Sequence, residues 1–244
     1  METDAYHDMS AVEAVHWWFV GRRRVLAAVL ARLGLPPDAA ILELGSGTGG
    51  NFALLRRFGR VTAVEMNATA RALAATRGGE VTQYAGMLPD DLRLGDQRFD
   101  VVGLFDVLEH VSDDAGTLKR VRALLKPGGV ALITVPAYRA LFGPHDVFLH
   151  HQRRYEAAEL RAKLTQAGLR VERLSFINAA LLPVAWVLRG LDKALGRKQA
   201  IGVGLPSPLV NALLGWVFGA EAALVPYVSL PFGLSLLAVV RAQD

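Results

Sequence analysis

Apolar residues follow two rhythms along this chain. Over 10–33, SAVEAVHWWFVGRRRVLAAVLARL, they suit a helix, with Ser10 placed as N-cap and Gly34-Leu-Pro-Pro as the stop. Short, nearly continuous apolar runs then follow: AAILEL (39–44), RVTAVE (60–65), EVTQYA (80–85), FDVVGLF (99–105) and GVALITVP (129–136). Helical patterns fall between them over 48–58, 66–77 and 113–125, the last ending at Lys126-Pro-Gly-Gly. Buried strands alternating with helices predict an α/β fold with a doubly wound, mainly parallel sheet covered on both faces.

After Pro136 the rhythm changes. A long loop over 137–154 leads to a helix, YEAAELRAKLTQAG, and a sixth strand, LRVERLSF (169–176). An apolar stretch then intervenes before GLSLLAVVRA (233–242), a seventh strand. The chain thus divides into an N-terminal helical lid (1–38), an α/β core (39–176), an apolar helical insertion (177–231) and a last core strand (232–244).

The first strand runs into a glycine turn, ILELGSGTGGN (41–51). A phosphate-binding P-loop is excluded, because no Lys follows the glycines. Gly45, Gly47 and Gly49 are spaced G-x-G-x-G, yet Gly50 also completes G-x-G-x-x-G from Gly45. The glycines alone therefore leave a dinucleotide open, and Glu65 at the end of the second strand suits ribose hydroxyls of either ligand. Glu43 tips the balance. A carboxylate at the mouth of the strand suits a ligand with a cationic end and repels a pyrophosphate.

Taken together, E-L-G-S-G-T-G, Glu65, FDVVGLFDVLEH and LLKPGGVALITVP resemble class I S-adenosylmethionine-dependent methyltransferases over residues 39–176. That resemblance implies a seven-stranded Rossmann-like fold whose last strand is antiparallel. It implies S-adenosyl-L-methionine as cofactor. Glu43, Gly45, Ser46, Gly47 and Gly49 would then hold its methionine part and Glu65 its ribose. Met66, Met87 and Leu88 would flank the adenine, with Phe105 and Asp106 closing the floor of the pocket. Plain core packing is the competing reading of the apolar members.

Two further stretches, HWWFVGRRRVL (16–26) and GPHDVFLHHQRRY (143–155), resemble a bacterial subgroup associated with lipid-linked or glycan assembly. Methyl transfer to a hydroxyl requires alignment and removal of a proton, a task suited to His near neutral pH. His145, Asp146, His151 and, after the fourth strand, His110 are the candidate catalytic residues, with Asp146 beside His145 to orient an imidazole. No metal site is assigned, since H-E-x-x-H spacing is absent. Trp18, Arg22, Tyr138, Arg154 and Tyr155 are the candidate substrate contacts, the arginines through bidentate contacts to an anion. Loop-stabilising hydrogen bonds and solvated charge are the rival readings.

Composition changes the picture at one place. Mean hydropathy is +0.29, and between Gln199 and Val240 the one charged residue is Glu221. LSFINAALLPVAWVL is fifteen residues and LVNALLGWVFGAEAALV seventeen, both short of the roughly twenty a membrane span needs. Arg189, Lys193, Arg197 and Lys198 lie between them. Shallow burial at anionic headgroups is expected, with Trp186, Trp216 and Tyr227 at the interface. A homodimer interface and a lid over the substrate are the alternatives.

The absence of cysteine excludes thiol chemistry, and no signal peptide is apparent in METDAYHDMS, so a cytoplasmic protein at the membrane face is expected. The net charge of +4 permits an anionic partner, but no D/N-P-P-Y/F motif or aromatic-studded basic groove points to nucleic acid. The expected activity is methyl transfer to oxygen or nitrogen of a small-molecule or lipid-linked acceptor, glycan or prenyl among them. A non-catalytic subunit of a membrane assembly is the alternative.

Overall fold

The computed structural model describes residues 3–187 and 204–243. Its strands are β1 (Ala39–Leu44), β2 (Gly59–Glu65), β3 (Val81–Ala85), β4 (Phe99–Phe105), β5 (Leu125–Pro136), β6 (Leu169–Ile177) and β7 (Ser235–Ala242). They form one sheet in the order β3-β2-β1-β4-β5-β7-β6. Neighbours from β3 through β5 are parallel, and β7 runs antiparallel to both β5 and β6. This is the doubly wound α/β sheet that the alternating pattern predicts, with its last strand reversed.

Leu44 pairs with Val64 on one side and Leu104 on the other, so β1, β2 and β4 end flush. Strand order reverses between β1 and β4, and the crevice at such a switch point is where open α/β sheets bind ligands. The inner strands are continuous apolar runs because both faces are covered. On one face α2 (Trp17–Leu30) packs Leu26 and Leu30 against Ile41 and Val101. On the other, Leu118 of α5 (Asp114–Leu124) and Leu164 of α7 (Ala157–Gln166) meet Leu42 and Ile133.

Four boundaries differ from expectation. The helix expected over 10–33 is two: α1 (Thr3–Val12), with Ser10 inside it, and α2. His16 caps α2, its Nδ1 accepting from Trp18 N at 3.3 Å, while Asn211 Oδ1 accepts from Trp17 N at 2.8 Å. The helix expected over 48–58 shrinks to α3 (Phe52–Leu55), because the preceding glycine loop uses positive φ at Gly47 and Gly49. Strand β5 begins at Leu125, before Lys126-Pro-Gly-Gly, and its ladder to β4 is irregular between Phe99 and Val101. The loop 137–154 contains a short helix, α6 (Pro144–Phe148); α4 is Ala68–Ala75.

Within the insertion, 182–187 are helical and α8 spans Pro208–Ala220. Arg189, Lys193, Arg197 and Lys198 lie outside the described residues. No helix among the described residues is long and apolar enough to cross a membrane. Glu221 is buried, accepting from the N–H groups of Asn178 (2.6 Å) and Ala179 (2.7 Å), so its charge ties the start of the insertion to its end.

The insertion also packs on the N-terminal segment. A Cβ at Gly21 would lie 2.4 Å from the Phe218 ring, so glycine sets the closest approach of α2 and α8. Gly21→Leu is expected to lower stability by about 3 kcal/mol, the upper end for overpacking, read as a lower midpoint in urea. An unchanged midpoint would show that α8 does not dock here.

Candidate functional site

The site is built where β1 ends. Glu43, one residue before the end of that strand, is buried; its Oε1 accepts from Asn51 Nδ2 at 2.7 Å and its Oε2 has no hydrogen-bond partner among the described residues. Burial pushes this carboxyl up to about 7, against the lowering effect of the Asn51 bond. The chain then turns through Gly45 with φ +67°, where an added Cβ would lie 2.7 Å from both Val107 methyls. Only glycine fits that approach without strain.

Glu65 closes the loop from β2. Its Oε2 accepts from Gly47 N at 2.9 Å and its Oε1 from Asn67 N at 2.8 Å. The carboxylate therefore holds the glycine loop against the start of α4. Past Glu65, Met66 is 65% exposed; just beyond β3, Met87 is 57% exposed, while Leu88 packs on the core. Phe105 is buried at the end of β4.

These residues fit S-adenosylmethionine. Glu43 Oε2, Ser46 Oγ and Asn51 Oδ1 are buried polar atoms around a glycine cradle, without hydrogen-bond partners among the described residues. Such groups are costly unless something satisfies them. A buried acid facing a cationic amine, and an acid at the neighbouring strand end for ribose hydroxyls, match the two polar ends of that cofactor.

Helix α1 lies across this cradle. The Met9 methyl is 3.4 Å from where a Gly47 Cβ would stand. Beyond α1, Glu13 is buried, accepting from Thr48 Oγ1 and pairing with Arg77. Reading the sequence missed Glu13 and Asn51. Asn51 stands directly after the glycines and could have been found there; Glu13 looks like any acid on a helix.

Arg22 bridges the lid and the core. Its Nη1 donates to Asp106 Oδ2 in a buried ion pair, and its guanidinium carbon lies 4.5 Å from the centre of the Trp18 ring. Asp106 adopts φ +58° and also accepts from Thr134 Oγ1 at 3.1 Å. Arg22 is therefore committed to Asp106, while its buried Nε has no partner among the described residues. Trp18, Arg22 and Asp106, expected to serve two different ligands, form one wall.

The second wall is carried by α6 and the turn after β4. Asp146 is buried, and the imidazole it holds is that of His151, Nδ1 to Oδ1 at 2.9 Å. His145, expected to be its partner, is half-buried one residue earlier on α6. Burial alone would raise the Asp146 carboxyl, yet His151 and Arg154 hold it well below the usual range. His110 stacks edge-on against His151 with ring centres 4.8 Å apart. Burial, then the neighbouring His151, lowers its imidazole to about 4.

Glu109 carries no sequence signal within FDVVGLFDVLEH, yet it is fully buried beside these imidazoles, with neither oxygen hydrogen-bonded to any described residue. Burial, with Asp106 nearby, raises its carboxyl well above the ordinary value.

Two expected substrate contacts are internal. Arg154 is buried, donating to Asp146 Oδ1 at 2.7 Å and to the Ala137 carbonyl at 3.0 Å. Tyr155 is fully buried, its hydroxyl donating to Asp114 Oδ2 at 2.9 Å. Their tertiary partners consume the polar groups that a ligand would need. Tyr138 stacks on Phe176 with ring centres 5.3 Å apart, half-buried.

Residues 19–174 match a family described as a methyltransferase domain. The chain is 32% identical to a ubiquinone biosynthesis O-methyltransferase of Serratia proteamaculans over 141 residues, covering 51% of this chain and 58% of that protein. It is 28% identical to a trans-aconitate 2-methyltransferase of Deinococcus radiodurans, covering 79% and 72%. Of the first of these relatives the chain thus spans less than two thirds. A Clostridium acetobutylicum S-adenosylmethionine-dependent methyltransferase superposes with TM-score 0.59 at 14% identity, covering 91% and 92% of the two chains. That last likeness concerns the fold.

Proposed function

We propose that this chain, which belongs to the methyltransferase domain family and takes S-adenosylmethionine as its cofactor, transfers a methyl group to an acceptor hydroxyl oxygen. The observation that carries the choice of oxygen is the polar wall of the buried Glu109 with His151 and the less buried His110, beside Asp106. A neutral amine attacks unaided, whereas a hydroxyl must shed its proton, and this wall offers groups that promote the loss. The name of the Serratia relative, an O-methyltransferase, agrees with that reading.

When bound, the cofactor supplies an electrophilic methyl on a sulfonium. Glu43 would face its cationic end, Glu65 would accept from its ribose hydroxyls, and the Arg22–Asp106 pair, with Trp18 against the guanidinium, would form one wall. These contacts fix orientation and exclude water, which accounts for much of what a displacement of this kind needs.

The exposed apolar surface of α8 and the segment after it favours a lipidic acceptor as a further part of this reading. Leu209, Leu213, Trp216, Tyr227 and Phe232 are exposed, and Glu221, the one charge between Gln199 and Val240, is buried. A surface that apolar fits an anionic bilayer whose lipids carry the acceptor.

The test is methyl transfer from radiolabelled cofactor to paired hydroxyl and amino acceptors on apolar chains. Label in a methyl ether supports the proposal; label in amines alone overturns it. Glu65→Ala is expected to weaken S-adenosylhomocysteine binding about 100-fold, the value of one to two hydrogen bonds to a charged group. Calorimetric titration giving wild-type affinity would remove Glu65 from the cofactor site.

A further inference from the structure

Glu109 is a buried acid that no described residue satisfies. Both oxygens lack hydrogen-bond partners, and the approach of His151 Nε2, at 3.9 Å, is beyond hydrogen-bond distance. Fold stability does not require such a group, because an isosteric apolar residue would avoid the cost of burying it. From this position we infer that Glu109, His110 and His151 bind a divalent transition-metal ion, one ligand atom from each lying within 4.8 Å of the others.

The hydrogen bonds around the cluster prepare it for that use. The ionised Asp146 carboxylate accepts at His151 Nδ1, so a proton sits there, and in the neutral imidazole Nε2 carries the lone pair. His110 Nδ1 faces the His150 carbonyl at 3.3 Å, and a carbonyl can only accept. That proton likewise belongs on Nδ1, and Nε2 is left to ligate. Asp146 is itself fixed by Gly143 N at 2.9 Å and Arg154 Nε at 2.7 Å. Outer carboxylates and carbonyls that orient ligating imidazoles in this way are a regular part of metal sites.

Charge and geometry agree. The nearby cations, Arg22 and Arg154, are already paired with Asp106 and Asp146, so Glu109 is the acid left without a partner among the described residues. Two imidazoles and a carboxylate suit zinc, iron, manganese or cobalt better than the all-oxygen shells of calcium and magnesium. Bonds near 2.1 Å at tetrahedral angles need ligand atoms about 3.4 Å apart, so binding draws the cluster together by roughly an ångström. Three protein ligands leave a position open, as in catalytic rather than structural sites.

Its role in methyl transfer rests on the reading of a hydroxyl acceptor given above. A divalent cation at this wall lowers the pKa of a hydroxyl it touches, and the released proton passes to solvent. The oxygen pair then forms the new C–O bond as the S–C bond breaks, its electrons remaining on sulfur. His151 is thereby a ligand, and proton removal needs no free imidazole.

The full chain, stripped with chelator and dialysed, is titrated with Co²⁺ while its visible absorption is followed, with S-adenosylhomocysteine binding measured alongside. One equivalent of Co²⁺ is expected to bind and to produce ligand-field bands. Glu109→Gln and His151→Ala are expected to lose binding at least about 10-fold, and Asp146→Asn about 10- to 100-fold through its hold on His151. His110→Ala, at the rim of the cluster, serves the same purpose if a core substitution fails to fold. Wild-type protein that binds S-adenosylhomocysteine but takes up no stoichiometric Co²⁺ overturns the metal site and leaves the methyltransferase reading standing. Co²⁺ binding undiminished in both Glu109→Gln and His110→Ala overturns it equally. Co²⁺ bound with no affinity for S-adenosylhomocysteine would instead sink the cofactor reading.

Discussion

Glu43→Gln is expected to stabilise the cofactor-free protein and weaken its hold on the cofactor. Burial raises the Glu43 carboxyl from 4.5 to about 7. Between those values the folded chain keeps a proton that the unfolded chain releases, so stability falls as pH rises and levels off above about 7. A shift of that size corresponds to about 3 kcal/mol lost between pH 4.5 and 7. Gln resembles the protonated acid in shape and does not titrate, so the variant lacks this component of the slope. Its excess stability appears at about pH 8 and vanishes near pH 4.5. The Gln also forfeits the charge that would face a cationic amine, and S-adenosylhomocysteine affinity should fall about 10- to 100-fold. Urea unfolding at the two pH values, with calorimetric titration at the higher one, checks both halves. Parallel pH profiles for the two chains would mean that Glu43 is ionised in the empty fold. Undiminished affinity would take it out of the cofactor site.

That trade follows from parts of the chain that were plain in its sequence. Strands β1, β4 and β5 read clearly because burial on both faces leaves no alternation to misjudge. A run of glycines directly after β1 is equally legible, since close backbone approach and positive φ are what glycine uniquely supplies. The break between α1 and α2 was hidden, since the apolar rhythm persists through Glu13 and Val15. What interrupts it is tertiary: Glu13 turns to Thr48 and Arg77, and Asn211 takes the first N–H of α2. Which imidazole Asp146 holds was not legible from position along the chain. His145 adjoins Asp146, but the α6 turn brings His151 to the carboxylate. Arg154 and Tyr155 read as ligand contacts because free polar groups are what a sequence displays. Their partners, Asp146 and Asp114, come from other turns and helices. Glu109 had no local signal at all, as its burial is set by the packing around β4 and α6.

Leu209→Asp combined with Trp216→Asp is expected to abolish flotation of the full chain with liposomes containing phosphatidylserine, which the wild type joins. Leu209 is 81% exposed and Trp216 66%, so neither substitution removes core packing, and the unfolding midpoint should hold. Each apolar side chain placed in the acyl boundary contributes roughly 1.5–3 kcal/mol, and an aspartate there opposes binding through both desolvation and the anionic surface. Losing two such anchors is worth a partition change of at least about 100-fold, which flotation reads as bound against free. Anionic lipid should retain more protein than phosphatidylcholine alone, since Arg32, stacked 4.7 Å from the Tyr227 ring, adds positive charge beside the apolar face. Protein that floats with neither lipid and sediments as a dimer, becoming monomeric in the double variant, would show that a second copy covers this face. The acceptor would then be sought among soluble hydroxyl compounds.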